Sequence, residues 1–149
     1  MKARYLLATA LLLSLLGCAT TPIPTSAARD VPRSRVLSAT LLERKEGLGQ
    51  VVVKRDEGFS ASACNSRVYA NGTPVAEIAP GEKVIFYLPE GEQMLAAMAT
   101  GICIGGLVET KASVSRSRPA VFRISYGSSG ESSPLTEIDP PYAQESDPP

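Results

Sequence analysis

The sequence predicts a small all-β domain within residues 49–126, an antiparallel β-sandwich or barrel of six to seven short strands. Short β-branched or alternating apolar runs recur in this region, and turn residues separate them at about the spacing typical of such folds. The 149-residue chain contains 12 Gly and 12 Pro, which suits a turn-rich β protein better than a helical bundle. Because Trp is absent and aromatic residues make up only 5%, the core has to consist mainly of Val, Ile, Leu and Ala.

The first predicted strand is the β-branched run Val51–Val53, and a hairpin follows it. The hairpin joins residues 68–70 to residues 73–78 through Asn71-Gly72, a pair that tolerates the positive φ angles of a type I′ turn. Pro74 lacks a backbone N–H, so the second arm is expected to lie at a sheet edge or to begin its pairing at Val75.

The later strands are predicted from alternation over residues 84–88, 108–114 and 122–126. Residues 93–100 are ambiguous, because their Met and Ala residues also favour a helix. We predict a strand there, since the segment between Gly91 and Gly101 is short for a helix.

Residues 1–17 have the pattern of a bacterial secretory signal, with Lys2 and Arg4 before an apolar run. That run is too short to span a bilayer, which needs about 20 apolar residues. The residues Leu15-Leu16-Gly17-Cys18 resemble the lipobox of bacterial lipoproteins, which implies lipidation of Cys18. By the same resemblance Ala19 favours the outer membrane, where the protein would be lipid-anchored in the periplasmic leaflet. The alternative is an ordinary signal peptide in which Cys18 is incidental.

The two ends of the mature chain are predicted to be loose. Residues 18–48 contain the lipidated cysteine and several prolines, and they are interpreted as a flexible tether with a short helix or edge strand at residues 37–42. The arginines of this segment either rest on anionic lipid or are simply solvated. Residues 127–149 are rich in Pro and Ser and are predicted to be disordered, with a polyproline ligand as the alternative.

Three cysteines support an exported protein. If lipid modifies Cys18, Cys64 and Cys103 remain as a pair, and an oxidising periplasm favours a disulfide between them. The alternatives are a free structural pair, a reactive thiol or a metal site. A metal site needs more ligands, and a reactive thiol needs a neighbouring base.

Composition argues against several function classes. The chain has no His and a formal net charge of zero, so neither the commonest general base and metal ligand nor a strongly basic surface is present. We therefore predict no metal, no cofactor, no nucleic-acid partner and no enzymatic activity. Turn-flanking carboxylates such as Asp56 and Glu90 are interpreted as solvated, and the Gly-rich residues 101–106 as a tight connection rather than a phosphate loop.

A family resemblance covers about residues 49–124. It is carried by Arg55-Asp56-x-Gly58-Phe59, Ser62-Ala63-Cys64, Val68-Tyr69-x-Asn71-Gly72 and Gly101-Ile102-Cys103, together with Pro80-Gly81-Glu82 and Gly91-Glu92. These motifs resemble the DUF2846-type domain of small bacterial lipoproteins and, less closely, the PEGA type of surface β module. The resemblance implies an antiparallel β domain of unknown biochemical function and supplies no catalytic residues.

The function we expect is that of a non-catalytic, membrane-anchored envelope lipoprotein whose β module binds a protein or cell-wall partner such as peptidoglycan. Thr73 and Val75 on the predicted edge strand, with Ile102 and Ile104 in the Gly-rich loop, are the candidate binding residues. The alternative is a hydrolase or an enzyme inhibitor that acts in the envelope, the inhibitor using the loop at residues 101–106.

Overall fold

The computed structural model describes residues 20–58, 61–103, 105–127 and 135–138, and these form a β-sandwich. One sheet has five strands in the order β1-β5-β2-β8-β9, and the other has four in the order β4-β3-β6-β7. The strands are β1 (Arg29–Asp30), β2 (Leu48–Arg55), β3 (Ser66–Ala70), β4 (Thr73–Ile78), β5 (Glu82–Pro89), β6 (Gly91–Ala99), β7 (Val108–Val114), β8 (Ala120–Ile124) and β9 (Thr136–Ile138). Two short 3₁₀ turns, Arg33–Arg35 and Ala39–Leu42, precede β2.

The hydrophobic core lies between the two sheets. Alternate residues of each strand point into it, so Val51 and Val53 of β2 meet residues such as Phe86 and Phe122 in one buried cluster. Val, Ile, Leu and Ala supply most of that cluster, as the composition predicted. The predicted all-β sandwich is confirmed.

The predicted hairpin is confirmed in its details. Asn71 and Gly72 both have positive φ angles, 48° and 77°, as a type I′ turn requires. β4 is the edge strand of its sheet, and Pro74 is paired with Tyr69 beside a register shift between Val68 and Tyr69. Residues 91–99 form a strand, which resolves the ambiguity between helix and strand.

One pairing of the central strands differs from a purely antiparallel arrangement. β2 pairs with β8 in parallel, with Val51 opposite Ala120 and Arg55 opposite Ile124. Parallel neighbours need a long crossover connection. Here residues 56–119 provide it, and they contain the whole four-stranded sheet as well as β5.

The segment expected to be a flexible tether instead pairs along edges of both sheets and covers part of the outer face of the five-stranded sheet. Thr21 bridges Glu57, β1 pairs in parallel with β5, and Val36 bridges Ala76. Ile23 and Ala28 are buried. The physical reason is that Val52 and Val121 are apolar on the outer face and need a cover, which this segment supplies.

The predicted tail also contributes to the fold. Leu135 is buried in the core cluster, and β9 pairs antiparallel with β8. Residues 128–134 and 139–149 lie outside the described residues, as do residues 1–19 with Cys18 and the predicted signal. Within the described ranges, no helix has the length and apolar character needed to cross a membrane.

Candidate functional site

The predicted disulfide is confirmed. Cys64 and Cys103 are bonded, with 6.0 Å between their Cα atoms and 39 positions between them in the sequence. The bond joins the turn before β3 to the loop between β6 and β7. Cys64 is buried while Cys103 is partly exposed, so the bond fastens a surface loop to the end of the sandwich.

A buried arginine supports the disulfide from inside the sandwich. Nη1 of Arg55 donates to the carbonyl oxygen of Cys64 at 2.5 Å, and Nη2 donates to that of Ala61 at 2.6 Å. The guanidinium carbon lies 4.7 Å from the ring centroid of Tyr126, whose hydroxyl is 2.7 Å from Ser66 Oγ. Nε of Arg55 has no hydrogen-bond partner among the described residues, but the two Nη groups bind the carbonyl oxygens of Ala61 and Cys64, so the cluster holds the turn at residues 61–64 in place.

Sequence reasoning missed Arg55 as a core residue, although a signal was present. Arg55 is in phase with Val51 and Val53 on β2, so alternation places its side chain inward. Burial lowers the pKa of Arg55 below its ordinary value, and the nearby Tyr126 and Glu82 oppose that effect.

A second charged cluster lies on the opposite face of β2, beneath the N-terminal segment. Asp56 is completely buried, and its Oδ2 lies 3.0 Å from Nε of Arg123. Nζ of Lys54 donates to the carbonyl oxygen of Ile23 at 2.6 Å. The interpretation of Asp56 as a solvated turn residue is therefore wrong, because the N-terminal segment covers it.

Burial controls the titration of this cluster. It raises the pKa of Asp56 above 3.8, although the charges of Arg123 and Lys54 act in the opposite direction. It also lowers the pKa of Lys54, with Asp56 opposing that shift. Lys54 and Asp56 are enclosed on the outer face and help to fasten the N-terminal segment to the sheet, whereas the side chain of Arg123 is partly exposed.

The three candidate binding residues that the structure describes, Thr73, Val75 and Ile102, do not form one surface. Thr73 is exposed beside the hairpin turn, whereas Val75 is buried and its carbonyl oxygen accepts the N–H groups of Leu37 at 2.9 Å and Ser38 at 3.2 Å. The predicted free edge of β4 is thus covered at Val75, and that residue is unsuited to bind a partner. Ile102 is 85% exposed and lies at the other end of β3 from Thr73. Ile104 lies outside the described residues.

A candidate binding surface that the sequence reasoning missed lies on the outer face of the four-stranded sheet. Met94 and Leu107 are 38% and 52% exposed there, and Tyr69 stands opposite the small residue Ala96. Because Ala96 leaves a depression between larger neighbours, the face carries a groove of about 280 Å³. The groove is lined by Tyr69, Gly72, Met94, Ala96, Met98, Leu107 and Glu109.

The border of this groove is charged. Arg67 pairs with Glu77 at 2.5 Å, and Lys111 pairs with Glu92 at 2.9 Å. An apolar centre within a polar rim is the usual composition of a protein–protein interface. The signal in the sequence was that β6 carries apolar residues on both faces, since Met94 and Met98 alternate with the buried residues of that strand.

No protein-family model matches this chain, and no curated protein matches it. In the described ranges, no three His, Cys, Asp or Glu residues lie close enough together to hold a metal ion. The apolar groove and the disulfide-held loop both present exposed apolar side chains, which are Met94 and Leu107 in the groove and Ile102 on the loop.

Proposed function

We propose that this protein is a lipid-anchored envelope lipoprotein of the outer membrane whose β-sandwich binds a partner protein through the apolar groove. The observation that carries the proposal is the exposure of Met94 and Leu107 around the groove, next to Tyr69 and Met98. Contiguous apolar surface that water can reach, with polar residues around it, is typical of a binding site.

The dimensions and chemistry of the groove favour a protein partner over peptidoglycan. About 280 Å³ is close to the lower limit of small-molecule sites, about 300 Å³, and accommodates one or two large apolar side chains. Its floor at Ala96 offers a methyl group where a sugar polymer would need hydrogen-bond partners. The methionines adapt their shape to an apolar side chain at low cost.

The proposed lipid anchor rests on the lipobox-like residues 15–18, and the position of Thr20 determines how near the sandwich that anchor would lie. Thr20 Oγ1 donates to the carbonyl oxygen of Tyr126 at 3.1 Å and accepts the N–H of Tyr126 at 3.1 Å. Since two residues of extended chain span at most about 7 Å, a lipid on Cys18 would be attached directly beside the sandwich. In this proposal the sandwich lies at the membrane surface, closer to it than a flexible tether over residues 18–48 would hold it.

The test of partner binding uses the full-length protein in its own envelope, with a photo-crosslinking amino acid at Met94. Crosslinking to one defined envelope protein is expected, and Leu107→Lys should abolish that product because a charge then lies at the edge of the apolar groove. The matched control is the same probe at Leu37, which is 46% exposed and does not line the groove. Equal products from both positions, or a product that Leu107→Lys does not change, would refute the groove as the binding site.

The test of the anchor is metabolic labelling with palmitate. The wild-type protein is expected to incorporate the label, and Cys18→Ser should incorporate none because the lipid bond needs the thiol. Retention of label in Cys18→Ser would show that the lipobox interpretation is wrong.

An enzyme inhibitor is the second candidate, and one specific observation favours it. Ile102 is 85% exposed on a loop that the neighbouring Cys103 fastens through the disulfide. A constrained loop with a protruding apolar side chain can enter an enzyme cleft with little loss of conformational entropy. If inhibition of an envelope hydrolase is found, Ile102→Glu should abolish it while Leu107→Lys leaves it unchanged; the opposite pattern excludes the loop.

A further inference from the structure

A small basic cleft lies on the outer face of the five-stranded sheet, at the end where β2 begins. Its volume is about 80 Å³. The polar residues that line it are Arg44, Gln50, Tyr87, Arg116, Ser117 and Arg118. Neither the proposed partner groove nor the disulfide loop includes any of them.

Three separate segments of the chain form this cleft. Gln50 of β2 and Tyr87 of β5 are paired across the sheet and face outward. Arg44 comes from the chain just before β2, and Arg116 with Arg118 comes from the loop between β7 and β8. The tertiary structure therefore brings together arginines that are more than 70 positions apart in the sequence.

The cleft carries an excess of positive charge. Nε of Arg116 pairs with Oε2 of Glu90 at 2.9 Å, which neutralises one guanidinium. In the part of the chain that the structure describes, Arg44 and Arg118 form no ion pair with a carboxylate. The lining also contains Tyr87 and Gln50, whose side chains are neutral hydrogen-bonding groups, beside the arginines.

We propose that this cleft binds a phosphate-type oxyanion, the phosphoryl group of a phosphate ester. Guanidinium groups recognise phosphate oxygens through paired charge-assisted hydrogen bonds, and the cleft presents them from two directions. The volume of about 80 Å³ is that of two to three water molecules at about 30 Å³ each, which suits one tetrahedral group and not a whole nucleotide. The assignment does not depend on the proposed lipoprotein function.

Two sources can supply this chemistry, a lipid headgroup or a soluble phosphate ester. β2 extends from Leu48 beside the cleft to Arg55, and Thr20 is fastened beside the far end through Tyr126. Eight strand residues span about 25 Å. Because the cleft lies about 25 Å along β2 from the end nearest the proposed anchor, the soluble source is favoured; this choice of source rests on the proposed lipid anchor, whereas the anion site itself does not.

The experiment follows the arginine side-chain Nε–Hε signals of the full-length protein in neutral detergent by NMR at constant ionic strength. The probes are inorganic phosphate, glycerol 3-phosphate and dihexanoylphosphatidylglycerol, with acetate as the comparison anion. Saturable shifts at Arg44 and Arg118 are expected for the phosphate probes. Tighter binding of the lipid than of glycerol 3-phosphate would identify a headgroup site, and the reverse would identify a soluble ester.

The variants separate a site from general charge attraction. Arg118→Gln should weaken phosphate binding about tenfold, since it removes one charge-assisted contact. Arg33→Gln is the matched control, because Arg33 is exposed but lies outside the cleft, and it should leave the affinity unchanged. Both side chains are exposed, and an unchanged amide spectrum shows that the fold is kept. Shifts that do not saturate, equal binding of acetate, or equal losses in both variants would overturn the proposal.

Discussion

Removal of the disulfide in the double variant Cys64→Ala/Cys103→Ala is expected to lower the free energy of unfolding by about 4 kcal/mol. The value follows from the 39 positions between the two cysteines, since the bond restricts the unfolded chain by the entropy of closing a loop of that length. A domain of this size has a total stability of about 5–15 kcal/mol. The melting temperature should therefore fall by about 10–20 °C.

The structure also predicts which backbone amides exchange faster when the disulfide is removed. The Cys64 side of the bond keeps its hydrogen bonds to Arg55, and its own N–H still donates to the carbonyl oxygen of Ala61 at 3.1 Å. The Cys103 side loses its attachment, beside the exposed Ile102. Hydrogen exchange should accordingly accelerate in the loop after β6 and stay slow at the amide of Cys64.

The assay is thermal unfolding of the full-length protein, followed by near-UV circular dichroism with and without reductant. Reduced wild-type protein should match the double variant, and Cys18→Ser is the control because it removes the third cysteine without touching the bond. A decrease below about 3 °C, equivalent to less than about 1 kcal/mol, would refute the entropic argument. Two reactive thiols in the native, exported protein would refute the bond itself.

Three further predictions concern packing and charge. Gly49→Ala should lower the free energy of unfolding by about 1–3 kcal/mol in urea, because the added Cβ would lie 2.5 Å from Cγ1 of Val114. Gly106→Ala is the control and should be nearly neutral, because a Cβ at that position meets no atom within 4 Å. Burial raises the pKa of Asp56, so the stability it contributes is present below about pH 4 and is lost as the pH rises through the raised value. Asp56→Asn should flatten that part of the profile of melting temperature against pH, and an unchanged slope would contradict the assignment. Arg55→Met should cost about 3–5 kcal/mol in urea unfolding by leaving buried carbonyl oxygens without donors, and a loss below about 1 kcal/mol would show that the cluster is dispensable.

Local signals in the sequence were sufficient for the seven strands β2–β8. Six of these strands have a β-branched or alternating run, whereas β6 was predicted from the short distance between Gly91 and Gly101, and each boundary has a Gly, Pro or Asn-Gly turn that breaks the pairing. The hairpin at Asn71-Gly72 and the edge position of Pro74 follow from backbone chemistry within a few residues. The disulfide was predicted by counting cysteines, because the expected lipidation of Cys18 leaves Cys64 and Cys103 as one pair.

The tertiary structure alone decided which surfaces are covered and which are open. Thr20 to Val36 carry few apolar residues, yet Ile23 and Ala28 become buried because the outer face of β2 and β8 needs a cover that no local pattern reveals. The same long-range packing occludes Val75 and leaves Met94 exposed. It also brings Arg44 beside Arg118. The alternation of apolar residues along a segment shows which side chains share one face of a strand. Whether that face is buried depends on which distant segment packs against it, and the free energy of the whole fold determines that packing.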